Sequence, residues 1–392
     1  MRLILVIIIM AILFAGANVF AFDDEYYEFE FGDIEITFDD GFFDMYQTAS
    51  FSYERVSARV IEVKEIVTRP SLIFPDQEET MQLLVVEVLE GERRGQELET
   101  THFLTGDQEN SMRFDVLRVG DRVYVSIDER GEVAVGYVDG VQRQRSLLVL
   151  LCIFLVLILI IGRVKGIQTI ASLMITIGTI FLYTLPALFR GNDPIFTAII
   201  SCIGITIVSF LVISGFRKKT AVAIIGTVFG FAIAGILAIV FSSAARMSGF
   251  NEDTMHLMFI PGETGFNLVG LMFAGIIIGA LGVCMDVAMS IASALWELKK
   301  ESPNIERKAL FTAGMNIGKD AMGTMSNTLI LAYVGSLITI IMMFMAHNTE
   351  FIQIINIEII TEEIIKGLTG SIGLITVIPI TSYISALLYG RD

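Results

Sequence analysis

The stretch Gly275–Lys300, "GIIIGALGVCMDVAMSIASALWELKK", places one carboxylate, that of Asp286, inside a long apolar run. The run is long enough for a transmembrane helix, which needs about 20 mainly apolar residues. A carboxylate at the middle of a bilayer costs about 2.5–3.5 kcal/mol on insertion scales, so it usually marks a functional position. We predict that Asp286 is a proton relay or a cation site; the structural alternative is that it orders the helix end near the inner interface.

Helical periodicity gathers small and polar residues around this carboxylate. At 3.6 residues per turn, one face carries Gly275, Gly279, Gly282, Asp286, Ser290 and Ser293. The opposite face consists of Ile277, Leu281 and Ala288. Because glycines at such spacing let a second helix approach closely, the polar face is expected to look into a packed or hydrated interior. The glycine pair at Gly275 and Gly279 suits packing within one chain or between chains.

Two later stretches repeat the pattern. In "MNIGKDAMGTMSNTLILAYVG" the stripe is formed by Asn316, Asp320, Gly323 and Asn327. In "LTGSIGLITVIPITSYIS" it is formed by Thr369, Gly373 and Thr376. We predict a polar intramembrane core on three helices, with Asn327 as hydrogen-bonding partner of Asp286 and with Asp320 and Thr376 in its support.

Composition fixes the class of protein. The chain has 392 residues, of which 54% are hydrophobic, and a mean hydropathy of +0.69, which indicates a polytopic membrane protein. Residues 22–145 hold 29 acidic and 12 basic side chains, and the rest of the chain holds 14 acidic and 15 basic ones. Neither part therefore offers the basic face that nucleic acid requires. The three cysteines lie in apolar runs and the three histidines lack ligand spacing, so we expect no disulfide framework, metal or cofactor.

The region before the apolar spans divides into three parts. Residues 1–21 are predicted to be a signal peptide or an uncleaved signal anchor. Residues 22–50 alternate acids with aromatics and are interpreted as an acidic linker; carboxylates can bind Ca²⁺, but EF-hand spacing is missing. Residues 51–140 carry about five short alternating strands, which predict a small barrel of OB or SH3-like type. Since no catalytic motif appears, we do not expect an enzyme.

The helical domain is predicted to cover residues 146–390 with seven spans. These are expected near 146–162, 167–188, 195–215, 221–244, 267–290, 321–346 and 367–388. Eleven basic residues in the alternate loops on one side, against three on the other, predict that residues 22–145 are extracytoplasmic. A cytoplasmic surface helix is expected within Trp296–Asp320, and an interfacial helix within Glu350–Gly367.

Three ordered blocks resemble the YibE/F-like membrane proteins: "GALGVCMDVAMSIASALWEL", "GMNIGKDAMGTMSNTLILAYVG" and "GLTGSIGLITVIPITSYISALL". The resemblance covers about residues 146–390 and is strongest from Pro261 onward. Some members have an acidic pair where this chain has Met285 and Asp286. The resemblance implies a multipass protein of the bacterial inner membrane with an exported N-terminal domain, and it implies no substrate.

Two functions are therefore expected. The first is a secondary transporter or exporter component that moves an unknown small solute or ion, with Asp286 as proton or cation site and Asn327 as its partner. The second is a membrane-embedded interaction or scaffold protein whose exported β domain binds an envelope protein. The lipid bilayer is an expected partner for both functions. A transporter would also bind the small solute or ion, a scaffold protein would bind the envelope protein, and self-association is compatible with both functions.

Overall fold

The computed structural model describes residues 54–70, 78–91, 93–104, 116–128, 135–251, 254, 257 and 266–390. The predicted signal segment, residues 1–21, and the predicted acidic linker, residues 22–50, lie outside this part of the chain. The chain divides into two compact units, with a boundary between Phe154 and Leu155. Each unit is described by itself below.

The N-terminal unit contains a closed five-stranded barrel. Its strands are β1 Glu54–Pro70, β2 Glu78–Val88, β3 Glu97–Leu104, β4 Arg122–Asp128 and β5 Val135–Val141. They close in the order β1-β2-β3-β5-β4, with β3 and β5 parallel and the other pairs antiparallel. The predicted small barrel is confirmed, and this strand order is that of the OB type.

Alternation along the strands builds the barrel core. Branched side chains such as Val60, Val86 and Val123 are fully buried, because alternate residues of each strand point inward. The long β1 has register shifts against β2 after Val60, which let one strand bend around the barrel. The buried amide of Gln82 donates to the Leu117 carbonyl at 2.8 Å and accepts from the Leu117 N–H at 2.9 Å. This pair satisfies an otherwise costly polar group in the core.

Helices follow the barrel. They are α1 Gln144–Gly162, α2 Val164–Thr179, α3 Leu185–Phe189, α4 Pro194–Ser214, α5 Lys218–Ala244, α6 Leu268–Glu301, α7 Arg307–Ala346, α8 Phe351–Ile355 and α9 Glu358–Tyr389. A π-helical turn, Ile180–Thr184, joins α2 to α3. Within the described residues, seven helical segments are long and apolar enough to cross a membrane, which is the number of long apolar helices that the sequence predicted.

The core of the helical unit lies where α5, α6 and α9 meet. At its centre Cys284 of α6 lies against Gly230 of α5 and against Gly373 of α9. Glycines at these points bring the backbones close, as small residues do between membrane helices. Among the other helices, α4 packs on α2 and α6, and α7 packs mainly on α9.

Two boundary predictions were wrong. No separate surface helix is present in the described residues from Trp296 to Asp320: α6 continues to Glu301, a short break follows, and α7 begins at Arg307. The early turns of α7 remain helical because Leu310, Gly314 and Gly318 are buried against neighbouring helices. Likewise, Glu358–Lys366 is not a separate interfacial helix but the start of α9, and only the five-residue α8 precedes it.

Candidate functional site

The face of α6 that carries Asp286 is exposed. Gly275, Gly282, Asp286 and Ser290 are exposed and Gly279 is half-buried, whereas Ile277, Leu281 and Ala288 on the opposite face are buried. A Cβ built on Gly275 or on Gly282 would meet nothing within 4 Å. The packed interior expected for this face is therefore wrong for the single chain, whereas the hydrated surrounding that was the other expectation stays a prediction. Neighbouring helices take up the apolar face instead, because it buries more hydrophobic surface.

Asp286 lies near the level at which α4 ends, although it is close to the middle of the longer α6. Ser214, the last residue of α4, lies beside Met289 of α6, with 3.5 Å between hydroxyl and sulfur. At 1.5 Å of rise per residue, Asp286 is only about 4.5 Å further along the α6 axis. The basic ends of α5 and α6, Lys219 and Lys299, are on this side.

Neither Asp286 nor Asn327 has a side-chain hydrogen bond or an ion pair within the described residues. Asn327 is exposed on α7, as are Asn316 and Asp320. This polar stripe lies opposite the α7 face that packs on α9, where Gly318 touches Ile378. The predicted partners are thus not joined in this arrangement of the helices.

The last predicted stripe, on α9, is mostly internal. Thr369 is buried and its hydroxyl donates to the Ile365 carbonyl at 2.7 Å. Gly373 lies against Ala234 and the Gly230 carbonyl of α5. The half-buried Thr376 donates to the Gly373 carbonyl at 2.7 Å, so its hydroxyl is used within its own helix. This stripe serves helix packing.

Sequence reasoning missed a charged cluster on α9. The Lys366 ammonium lies 2.9 Å from a Glu362 carboxylate oxygen and 2.6 Å from one of Glu363. Their side chains are 20%, 10% and 18% exposed, so the three charges are largely covered although they belong to a candidate span. The many acidic residues between Glu350 and Gly367 led to the prediction of an interfacial helix, which left the cluster unnoticed. The cluster could have been predicted from the spacing of Glu362 and Glu363 to Lys366, since residues three and four apart share a helix face.

Tyr333 of α7 connects this cluster to the glycine face of α6. A Cβ on Gly279 would lie 3.0 Å from the Tyr333 hydroxyl, and a Cβ on Gly367 of α9 would lie 3.4 Å from its ring. Tyr333 and Glu363 also line one cavity of about 120 Å³ between α7 and α9. Glycines on two helices therefore hold the phenol beside a cluster with two carboxylates and one ammonium.

The described residues contain no group of three or more His, Cys, Asp and Glu side chains that could hold a metal ion. Cys202 and Cys284 are buried free thiols in the helical unit, and Cys152 is an exposed one. The candidate spans carry ionisable side chains of two kinds: exposed ones without a partner among the described residues, such as Asp286 and Asp320, and the α9 cluster with internal partners.

Seven long apolar helices that follow a small barrel define a multi-pass membrane protein. The family model described as YibE/F-like protein matches residues 150–391. This chain belongs to the YibE/F-like family, which confirms the family suggested by the three sequence blocks. Neither the comparison with curated proteins nor that with solved structures returned a match.

Proposed function

We propose that this chain is a secondary transporter or exporter component of the YibE/F-like family, with Asp286 as its proton or cation site. The observation that carries the proposal is an ionisable side chain on a candidate span that has no partner among the described residues and lies on a face with open glycines. Ionisable residues at such positions are rare and commonly mark ion or proton pathways.

The chemistry follows from the charge of the carboxylate. An ionised Asp286 beside hydrocarbon is costly, while the protonated or cation-paired form is much less so. Binding a proton or cation therefore changes the free-energy difference between helix arrangements that expose this face and those that cover it. A ligand shifts such an equilibrium only through its different affinity for the two states.

Asn327 is proposed as the hydrogen-bonding partner in the covered arrangement. It is six residues from Tyr333, so it lies about 120° around α7 from the side chain that touches α6. To reach Asp286, α7 must rotate, or Asn327 must come from a second copy of the chain. Gly275, Gly282 and Ser290 are exposed and leave room on α6 for that approach, whereas Gly279 already lies against Tyr333. Asp320 is proposed as further polar support, and Thr376 could add to it only if its hydroxyl leaves the Gly373 carbonyl.

The test compares Asp286→Asn with wild type in liposomes. We expect proton- or cation-dependent flux in wild type and its loss in Asp286→Asn, with unchanged insertion, abundance and thermal stability. Asp286→Glu should retain part of the flux. Glu297→Gln, at the exposed end of the same helix, is the matched control and should behave as wild type. Normal flux in Asp286→Asn would falsify the proposal.

The scaffold function remains the second candidate, because the barrel surface presents large apolar side chains. Ile66, Phe103 and Tyr137 are 52%, 43% and 40% exposed. In this version the barrel binds an envelope protein. The chain resides in the bacterial inner membrane, and residues 22–145, which include the barrel, are extracytoplasmic. Removing residues 51–140 should then abolish activity, whereas Asp286→Asn should leave it intact. Neither version assigns catalysis to the chain.

A further inference from the structure

The turn between α4 and α5 is held in one conformation. Gly215 has a φ of 71°, in the left-handed region that glycine adopts without strain. The Thr220 hydroxyl donates to the Gly215 carbonyl at 2.6 Å and ties the first turn of α5 to this residue. The three following side chains, those of Phe216, Arg217 and Lys218, are exposed at the end of the helix pair.

These side chains surround a cavity of about 360 Å³. One part of its wall is apolar and is formed by Leu211 and Ile224, which belong to candidate spans. The other part carries the cations Arg217 and Lys218. Phe216 lines the same cavity with 92% of its surface exposed, so its ring is open to an apolar ligand.

The electrostatics around the cavity favour an anion. Three cations, Lys165, Arg217 and Lys300, lie near the Lys219 ammonium, together with the carboxylate of Glu297. That carboxylate is already paired with Lys300 at 2.8 Å. The first N–H groups of α5 also point out of its N-terminus, where the helix dipole attracts negative charge and where no side-chain cap bond is made.

The geometry points to a binding site for an anionic phospholipid: the phosphate meets Arg217 and Lys218 at the start of α5, and an acyl chain follows Leu211 and Ile224. A free phosphate would use only the cations and would leave Phe216 and the apolar wall without a role. Basic residues at a membrane surface attract anionic lipids with about 1 kcal/mol per charge, or about fivefold in affinity. This site is independent of Asp286 and of transport.

The experiment titrates purified full-length protein in neutral detergent with dihexanoyl phosphatidylglycerol and follows the thermal midpoint. Dihexanoyl phosphatidylcholine tests the need for net negative charge, and glycerol phosphate tests the need for the acyl chains. We expect phosphatidylglycerol to raise the midpoint much more than either of the other two. Equal effects of both lipids, or of glycerol phosphate and phosphatidylglycerol, would overturn the proposal.

The variant Arg217→Gln/Lys218→Gln should bind phosphatidylglycerol about 25-fold more weakly than wild type, since two charges are lost. The control Lys308→Gln/Lys319→Gln removes two exposed charges from α7 and should retain wild-type affinity. If both variants bind phosphatidylglycerol equally weakly, then the affinity depends only on the overall charge of the protein and the site is rejected. If the double variant fails to fold, Lys218→Gln alone should show the fivefold loss.

Discussion

Asp286 on α6 and the Glu362–Lys366–Glu363 cluster on α9 are both ionisable sites in candidate spans, yet the fold treats them differently. The cluster satisfies its charges internally and is largely covered. Asp286 is exposed and has no partner within the described residues. Removing one partner of a covered ion pair destabilises the fold, because a charge is left uncompensated. A charge without a partner is available to a proton, a cation or another helix. Of the two sites, only Asp286 lacks a hydrogen-bond or ion-pair partner among the described residues.

The largest effect should come from breaking the cluster. Lys366→Met leaves two covered carboxylates without their cation, and removing one partner of a buried ion pair typically costs about 3–5 kcal/mol. Because the three side chains retain some exposure, we expect the free energy of unfolding to fall by about 2–3 kcal/mol. Thermal or denaturant unfolding in detergent measures this.

The matching control neutralises the whole cluster. Glu362→Gln/Glu363→Gln/Lys366→Met should recover most of the loss, because no uncompensated charge remains. Asp286→Asn should change the free energy of unfolding by less than about 0.5 kcal/mol, since it breaks no contact. A Lys366→Met protein as stable as wild type would remove the distinction between the two sites.

An intermediate effect should distinguish a glycine at a helix contact, Gly373 of α9, from a glycine on the open face of α6, Gly282. Gly373→Ala places a Cβ 2.8 Å from that of Ala234 and 3.0 Å from the Gly230 carbonyl. This overpacking should lower the free energy of unfolding by about 1–3 kcal/mol. Gly282→Ala meets open space and should be neutral or stabilising by up to about 1 kcal/mol, the helix-propensity gain.

The same pair of variants can sharpen the comparison through activity. If Gly282→Ala is as stable as wild type but inactive, then the Asp286 face is covered by a close helix at some stage of the working cycle. A Gly373→Ala protein with unchanged unfolding would instead mean that α5 and α9 do not approach as closely as their glycines indicate.

The smallest effect concerns the link between α6 and the cluster. The Cβ of Gly279→Ala approaches the Tyr333 hydroxyl, which offsets the helix-propensity gain expected at Gly282, so the substitution should be about 0.5–1 kcal/mol less favourable in wild type than in a Tyr333→Phe background. The double-mutant cycle should therefore give a coupling of about 0.5–1 kcal/mol. Additive effects of the two substitutions would show that the phenol does not bridge the two helices.

Much of the architecture was predictable because it depends on local periodicity. Alternating β-branched residues predicted the five strands, and long apolar runs predicted the seven long helices. Boundaries were less accurate where polar residues continue a helix. The first turns of α7 and α9 are helical because Leu310 and Ile360 are buried by neighbouring helices, a tertiary effect that a hydropathy pattern does not contain.

The site was predictable in its residues but not in its orientation. The pattern correctly grouped Gly275, Gly282, Asp286 and Ser290 on one face, because helical spacing alone determines which residues share a face. It did not determine which face of α6 the neighbouring helices would cover. The pairing of Lys366 with two carboxylates was visible as spacing, but its near-burial depends on how α9 packs in the bundle.

By itself the sequence determined the family, the barrel followed by apolar helices, and the presence of a carboxylate in a candidate span. These depend on residue order and on chain-local geometry. Only the tertiary structure decided that Cys284 is central, that Asp286 is exposed, and that Lys366 is satisfied. Burial is a property of what packs against a residue, and those contacts come from helices far apart in the chain.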